Sequence, residues 1–484
     1  MTAGALAAKR GKRVLVLERH SVVGGYAQNF RRGEFHFVAA LHAIGGIHST
    51  GFAGIIRELG LMDRIGFLKQ PRLFRSVFPD FEMVIPSGNP EETARILSER
   101  FPAERFRIRM FFALLRQVLR EDRNFFGPFR WLAMAFGPVS MPVTIVSEFL
   151  TADRILRWFF RDRQLRAVFG QLWAFFGLPP SRLQSQYFLP PMAGYLADGG
   201  YSIRGGSQRL SDALVDIILE SGGEVRTRTE VLGIIVTGGR ATGVKTGADE
   251  TFSARNIVSN LSPHATYGKL LPDWEGTKKA LAGIEKLELS MSGTQAYLGL
   301  DAPIAELWPE LADDHEIFWN STDDFDEMAR EAASEKPFSD HLPSLGITLF
   351  TNTDPSMCPA NRGEVGLFCA DNLARWEHLS DEAYRLEKAK LERSMIETAE
   401  RVLPGLSKHV IRSETGTPRT MKRYTGNPAG ALYGFAQTVS QGGYFKRFGN
   451  RSPLPGLLFA SAWTFPGGGF EGVARAGAEA ARKI

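Results

Sequence analysis

Cysteine is nearly missing from this chain: Cys358 and Cys369 are the only two in 484 residues. That excludes a disulfide scaffold and a cysteine-ligated zinc or iron–sulfur site, and it predicts a reducing, cytoplasmic setting. Long uninterrupted hydrophobic runs are also lacking. The longest uncharged apolar stretch, Trp131 to Ser147, carries Gly137, Pro138 and Pro142, so no spanning helix is expected. Lys9 and Arg10 follow the first apolar residues, whereas a secretory signal places its charges ahead of them. Charge imbalance is small as well. A net charge of +5 with 23% charged residues gives no concentrated basic footprint, and nucleic acid is not expected as a partner. Internal repeats, low-complexity tracts, a nucleophile elbow and a P-loop lysine are likewise missing. His36, His42 and His48 recur every six residues, which puts them on one strand face, but no nearby carboxylate cluster supports a site and no metal is expected.

What the chain has in quantity is glycine, fifty residues with many in doublets and triplets. Three stretches read as pieces of a nucleotide fold. In the first, a helix from Thr2 to Arg10 meets Gly11, and Arg13-Val-Leu-Val-Leu-Glu18 reads as a buried parallel strand. In the second, Gly205-Gly206 opens a helix from Gln208 to Glu220, Gly222-Gly223 ends it, and strands follow around 225–229, 232–237 and 241–246. In the third, Gly456 to Ser461 is a strand, and Gly467-Gly468-Gly469 precedes a helix running to the end.

Between them lie two segments of other character. Residues 71–198 are rich in arginine and phenylalanine. From Phe101 to Gly170 there are twelve arginines against six acids, and Phe101 to Phe176 holds seventeen Phe and Trp. This reads either as a helical domain with a Phe core and a solvated Arg face, or as a surface seated among anionic lipid headgroups. Residues 263–417 mix strand-like runs (294–300, 345–351, 365–370) with a charged helix from Asp381 to Val402. The expected class is therefore α/β, with a discontinuous nucleotide-binding domain (1–70, 199–262, 418–484), a helical, membrane-facing subdomain (71–198) and an inserted mixed substrate domain with a sheet (263–417).

Glu18 closes a Val/Leu strand, the place where a Rossmann-like unit puts the carboxylate that holds the adenosine ribose. The fingerprint glycines expected about twenty residues earlier fall before Met1, so the first strand and phosphate loop are not in the sequence as given. Gly24-Gly25 follow six residues after Glu18, and backbone this close to a ribose or pyrophosphate has no room for a Cβ. The same reason applies to Gly205-Gly206 and to the triplet at 467–469. There the following helix would point its N–H groups and positive dipole end at an electron-accepting group.

With these residues in order, the sequence resembles the flavin-dependent polyene oxidoreductases: phytoene desaturases, carotenoid isomerases and retinol-saturase-like proteins. The resemblance runs through Glu18…Gly24-Gly25-Tyr-Ala, Leu41-His42-Ala-Ile-Gly45-Gly46, Gly205-Gly206-Ser-Gln-Arg-Leu, and Trp463-Thr-Phe-Pro-Gly467-Gly-Gly469…Gly472-Val473. It implies FAD held by Glu18, Gly24, Gly25, Gly205, Gly206, Val231, Ser461, Gly467, Gly468, Gly469, Gly472 and Val473. It further implies a tunnel admitting a long polyene or isoprenoid from a membrane-associated face, and hydride exchange at a C–C or C=C bond. His42 and Trp463 are the candidate catalytic residues, with a structural role as the alternative for each. The sequence departs from relatives that carry Gly-Asp where this chain has Ser461-Ala462, and Asp where it has Val38. A flavin amine or porphyrinogen oxidase, and a flavin-free lipid-binding protein, are the alternative readings.

Overall fold

The computed structural model describes residues 1–484 apart from 128–130, 132–134 and 339–341, so part of the uncharged run at Trp131–Ser147 lies outside the described residues. The expected α/β class is what the chain adopts. In the nucleotide-fold pieces, strand Leu15–Leu17 pairs in parallel with Glu224–Arg226, and Ile257–Ser259 pairs in parallel with Leu457–Phe459. Helix Gln208–Glu220 buries Leu214, Ile217 and Ile218, the face its apolar period sets out. Helix Thr2–Lys9 packs against the C-terminal helix Phe470–Ala481. Their alanines and glycines allow close approach: a Cβ on Gly477 would stand 2.9 Å from Thr2 and 3.0 Å from the Ala3 nitrogen.

The middle of the molecule is a seven-stranded mixed sheet. Its order is Val410–Gly416, Ser292–Leu300, Gly363–Asp371, Ser344–Leu349, Glu316–Asn320, Arg72–Val77, Glu82–Pro86. All contacts are antiparallel except the parallel pair Glu316–Asn320 with Arg72–Val77. The hairpin 72–86 is contributed by the stretch that reads as helical in sequence. Every residue of Ser292–Leu300 is buried, because helix Asp381–Ala399 covers one face through Leu391 and Met395 while aromatic side chains cover the other.

Over Ser292–Leu300 these are Phe30, Phe35 and Phe37 about Tyr297, whereas the helices that follow the hairpin bring their rings to Phe74 and Phe318 at the other end of the sheet. Helix Arg105–Phe126 buries Ile108, Phe111, Phe112 and Leu115, and Phe111, Phe160 and Phe169 meet with ring centroids 4.8–5.1 Å apart. The arginine-rich segment therefore has a Phe core. It also leaves Phe106, Phe149 and Trp158 at 74%, 58% and 59% exposure. Among the described residues, no helix is long and apolar enough to cross a membrane. Of the six-spaced histidines only His36 lies on a strand, Phe35–Val38, so the three share no face, and no metal-holding group occurs among the described residues.

Candidate active site

A cavity of about 130 Å³ lies where the glycine triplet, the helical segment and the C-terminal helix meet. On one side it is lined by backbone of Gly468, Gly469 and Gly472, and on the other by Phe126, Phe175, Phe176, Tyr187, Tyr195 and Phe465. Tyr187 Oη donates to the Gly468 carbonyl at 3.0 Å, which fixes the ring against the triplet. The glycines are required by geometry. Gly467 (φ +124°) would press a Cβ to 2.8 Å from the Tyr187 ring, whereas Gly469 (φ +83°) is left-handed and faces open space. Gly469 is also the N-cap of helix Phe470–Ala481 and gives its first N–H groups no side-chain acceptor.

The first turn of that helix carries an ionic cluster. Arg475 donates to both Asp122 oxygens at 2.8 and 2.9 Å and also to Glu471, which accepts from Thr50 Oγ1 at 2.7 Å. Asp122 further accepts from the Gly51 amide at 2.8 Å. The cluster therefore joins the C-terminal helix to helices Arg105–Phe126 and Gly51–Leu59. Burial pushes the Glu471 carboxyl above its usual range, while Arg475, although buried, is held charged by its two carboxylate partners.

Arg447 differs from Arg475 in having no such partner. It lines the same cavity, with its guanidinium 5.0 Å from the Tyr187 ring centroid, and its Nε and Nη2 are shut off from solvent with no hydrogen-bond acceptor among the described residues. Burial pushes it down to about 10.

Behind Phe175, which also lines the main cavity, is a second space of about 20 Å³ bounded by His42, Glu316, Phe318 and Phe368. His42 Nδ1 lies 2.6 Å from Thr348 Oγ1, whose hydroxyl donates to Glu316 Oε2 at 2.9 Å. The carbonyl of His42 accepts from His315 Nε2 at 2.8 Å, and Thr353 Oγ1 lies 2.9 Å from His315 Nδ1. Burial outweighs the 3.9 Å approach of His42 to Glu316. It lowers both histidines to about 4 and holds the Glu316 carboxyl well above its usual range, so the pair is neutral.

The expected cofactor residues occupy the nucleotide-fold pieces. Glu18 follows strand Leu15–Leu17 and accepts the His20 amide at 2.9 Å. Gly24 (φ +117°) is packed hard, since a Cβ there would stand 2.4 Å from the Ala27 carbonyl oxygen. Gly25 (φ +60°) beside it faces open space. Gly205 and Gly206 are left-handed, and the Gly205 amide donates to Asp354 at 2.5 Å. Val231 begins strand Val231–Thr237. Ser461 is buried just past strand Leu457–Phe459, and Val473 is partly exposed on the C-terminal helix.

Trp463 is elsewhere: it packs edge-on against Phe435 at 4.9 Å, donates Nε1 to Asn427 at 3.3 Å and lines neither cavity. Val38, where relatives carry Asp, is a core residue at 5% exposure. Arg447, Glu316 and the Asp122–Glu471–Arg475 cluster were not read from sequence. The available signals were an arginine between aromatics (Phe445, Phe448), an acid opening an apolar strand, and an acid four residues before an arginine just past the glycine triplet.

A family of known proteins matches over residues 1–484: flavin containing amine oxidoreductase. The chain belongs to that family. It is an FAD-dependent oxidoreductase. The residues present fit the cofactor: Gly25 and Gly469 leave open, left-handed backbone, and the helix at 470–481 has no side-chain cap on its first N–H groups.

Among curated relatives, the chain is 24% identical over 492 residues to a chloroplastic prolycopene isomerase of Daucus carota, covering 99% of this chain and 77% of that protein. It is 25% identical over 480 residues to an all-trans-retinol 13,14-reductase of Macaca fascicularis, covering 90% and 75%. Among solved structures, an oxidoreductase from Methanosarcina mazei superposes with a TM-score of 0.63 at 16% identity, covering 99% of this chain and 97% of that one. A putrescine oxidase bound to putrescine gives 0.61 at 15% identity, covering 100% and 96%. At these identities the structures speak for the fold alone.

Proposed function

We propose that this flavoenzyme acts on a long apolar polyene or isoprenoid, desaturating, saturating or isomerising C–C or C=C bonds. The observation that carries the reading is the cavity itself, an aromatic-walled space opening onto the glycine triplet and the uncapped helix N-terminus. The names of the prolycopene isomerase and retinol reductase relatives point the same way. When bound, FAD supplies hydride transfer. The chain's own part is positioning and exclusion of water: the rings of Phe126, Phe175, Phe176 and Tyr187 hold an extended apolar chain against the glycine face. His42, neutral and linked through Thr348 to a protonated Glu316, is a proton reservoir one phenylalanine away from that space. Glu18 would hold the ribose, and the glycines at 24–25, 205–206 and 467–469 with Ser461, Gly472 and Val473 would admit the rest of the cofactor. An amine substrate fits less well, because Arg447 already places an unpaired cation in the cavity.

Delivery of such a substrate calls for contact with a membrane surface, on the cytoplasmic side in this reading. Val139, Val146, Phe149 and Phe445 are exposed at 86%, 51%, 58% and 70%. Glu148, next to Phe149, accepts the Phe445 amide at 3.2 Å, and Tyr444 beside Phe445 lines the cavity. The exposed apolar residues thus rim the way in, amid the arginines of the helical segment.

The test is the visible absorption spectrum of the purified chain before and after adding FAD, followed by anaerobic incubation with prolycopene and all-trans-retinol, with the flavin oxidised and with it reduced by dithionite. Flavin retained through gel filtration with conversion or isomerisation of a polyene supports the reading. A flavin-loaded protein that oxidises putrescine and leaves every polyene unchanged overturns it.

A further inference from the structure

The cavity holds two arginines in opposite circumstances. Arg475 is neutralised by Asp122 and Glu471, and those two acids are themselves saturated by Arg475, Thr50 and the Gly51 amide. Arg447 stacks on Tyr187, and a Cβ on Gly467 would lie 3.0 Å from its Nη1, yet Nε and Nη2 meet no acceptor among the described residues and no solvent. The nearest acid outside the cluster, Glu148, is turned elsewhere. Its oxygens accept from Gln184 Nε2 at 3.1 Å and from the Phe445 amide at 3.2 Å, and it forms no ion pair with Arg447. A guanidinium is a rigid fork of five donors that cannot shed its charge in ordinary solution. Leaving the three on Nε and Nη2 buried and unmet is costly unless a ligand supplies the acceptor. Beside it the cavity is lined mainly by rings, with Gln184 and Gln186 the neutral polar side chains, so an acceptor carried on an otherwise apolar molecule suits it.

We propose that Arg447 recognises a carboxylate or carbonyl oxygen at one end of the substrate, so that the enzyme takes an oxygenated isoprenoid in preference to a pure hydrocarbon. This rests on the polyene reading above. The guanidinium fork fits a carboxylate with two parallel hydrogen bonds, which fixes the end of the chain and thereby the bond presented to the glycine face. A neutral carbonyl accepts one such bond, and a hydrocarbon end leaves the fork unmet.

The experiment measures equilibrium binding of retinoic acid, methyl retinoate and the matching hydrocarbon to the full FAD-loaded chain by quenching of tryptophan fluorescence. Arg447→Lys and Arg447→Gln are measured alongside, with flavin content read after gel filtration. Affinity is expected to fall in the order acid, ester, hydrocarbon, with acid over hydrocarbon on the order of 10- to 100-fold. In Arg447→Gln that ratio collapses towards one while the hydrocarbon is unchanged; in Arg447→Lys the charge is kept, the two-pronged geometry is lost and the ratio is intermediate. Equal binding of acid and hydrocarbon by the unaltered protein overturns the proposal, and this holds even if neither variant folds. Loss of flavin in Arg447→Gln with an unchanged acid-to-hydrocarbon ratio overturns it too, and makes the cofactor's own carbonyls the ligand. Failure of all three probes to bind removes the polyene reading itself.

Discussion

On one side of the main cavity the surface is backbone, from Gly468, Gly469 and Gly472, with Gly467 just behind; on the other it is rings, from Phe126, Phe175, Phe176, Tyr187 and Tyr195. The glycine side leaves little freedom to the residue type, because a Cβ at Gly467 or Gly472 would collide at 2.8 or 2.5 Å. The ring side is tolerant in type and demanding in volume. A cofactor shared by many relatives calls for the first kind of surface, and a substrate that varies among them calls for the second. The Asp122–Glu471–Arg475 cluster fastens the two sides together.

The largest effect should come from breaking that fastening. Asp122→Ala leaves Arg475 buried with only Glu471 to answer it, and should cost about 3–5 kcal/mol, read as a lowered denaturation midpoint. A loss below about 1 kcal/mol would mean the two sides are held independently.

The ring side can be probed through its buried histidines. His42 and His315 are held near 4 against 6.5 for an exposed imidazole, so the unfolded chain binds more protons below pH 6.5. Stability supplied by keeping them neutral is therefore present above pH 6.5 and is lost as the pH falls towards 4. Glu316, Thr348, His315 and Gln295 face His42, and burial holds the Glu316 carboxyl well above its usual range. His42→Gln should flatten the loss between pH 6.5 and 4 by about 3 kcal/mol, since each pKa unit is about 1.4 kcal/mol. An unchanged slope would show that His42 is charged in the folded protein.

A glycine outside the cavity, in the stretch after Glu18, offers a sharper contrast at lower cost. Gly25→Ala meets no neighbour within 4 Å, so only the left-handed φ of +60° should be felt, about 1–2 kcal/mol. The variant should fold yet lose flavin on gel filtration. A variant that retains full flavin absorbance would remove Gly25 from the cofactor surface. Smallest in stability is the outer rim: Phe149→Ser with Phe445→Ser should shift stability by less than about 0.5 kcal/mol per site. The double variant should nonetheless weaken sedimentation with anionic vesicles about tenfold or more, given the apolar area withdrawn from lipid. Unaltered vesicle binding would count against a membrane-facing rim.

Much of the fold is legible in local pattern. Gln208–Glu220 has the bounds its period and flanking glycines set, and the strands at 292–300, 344–349 and 363–371 lie within a few residues of their apolar runs. The hairpin 72–86 was not legible as part of the central sheet. Its partner Glu316–Asn320 lies some 240 residues on, and no period records which strand will lie alongside.

Composition and glycine placement by themselves determined the class and the places where the backbone has no room for a Cβ, because those constraints act over a few neighbouring residues. Tertiary structure alone decided that Trp463 packs away from both cavities and that His42 meets Glu316 through Thr348. It also decided that of two arginines in one cavity only Arg475 finds carboxylates. Burial and partnership fix the charge and the use of a side chain, and both are properties of the packed molecule.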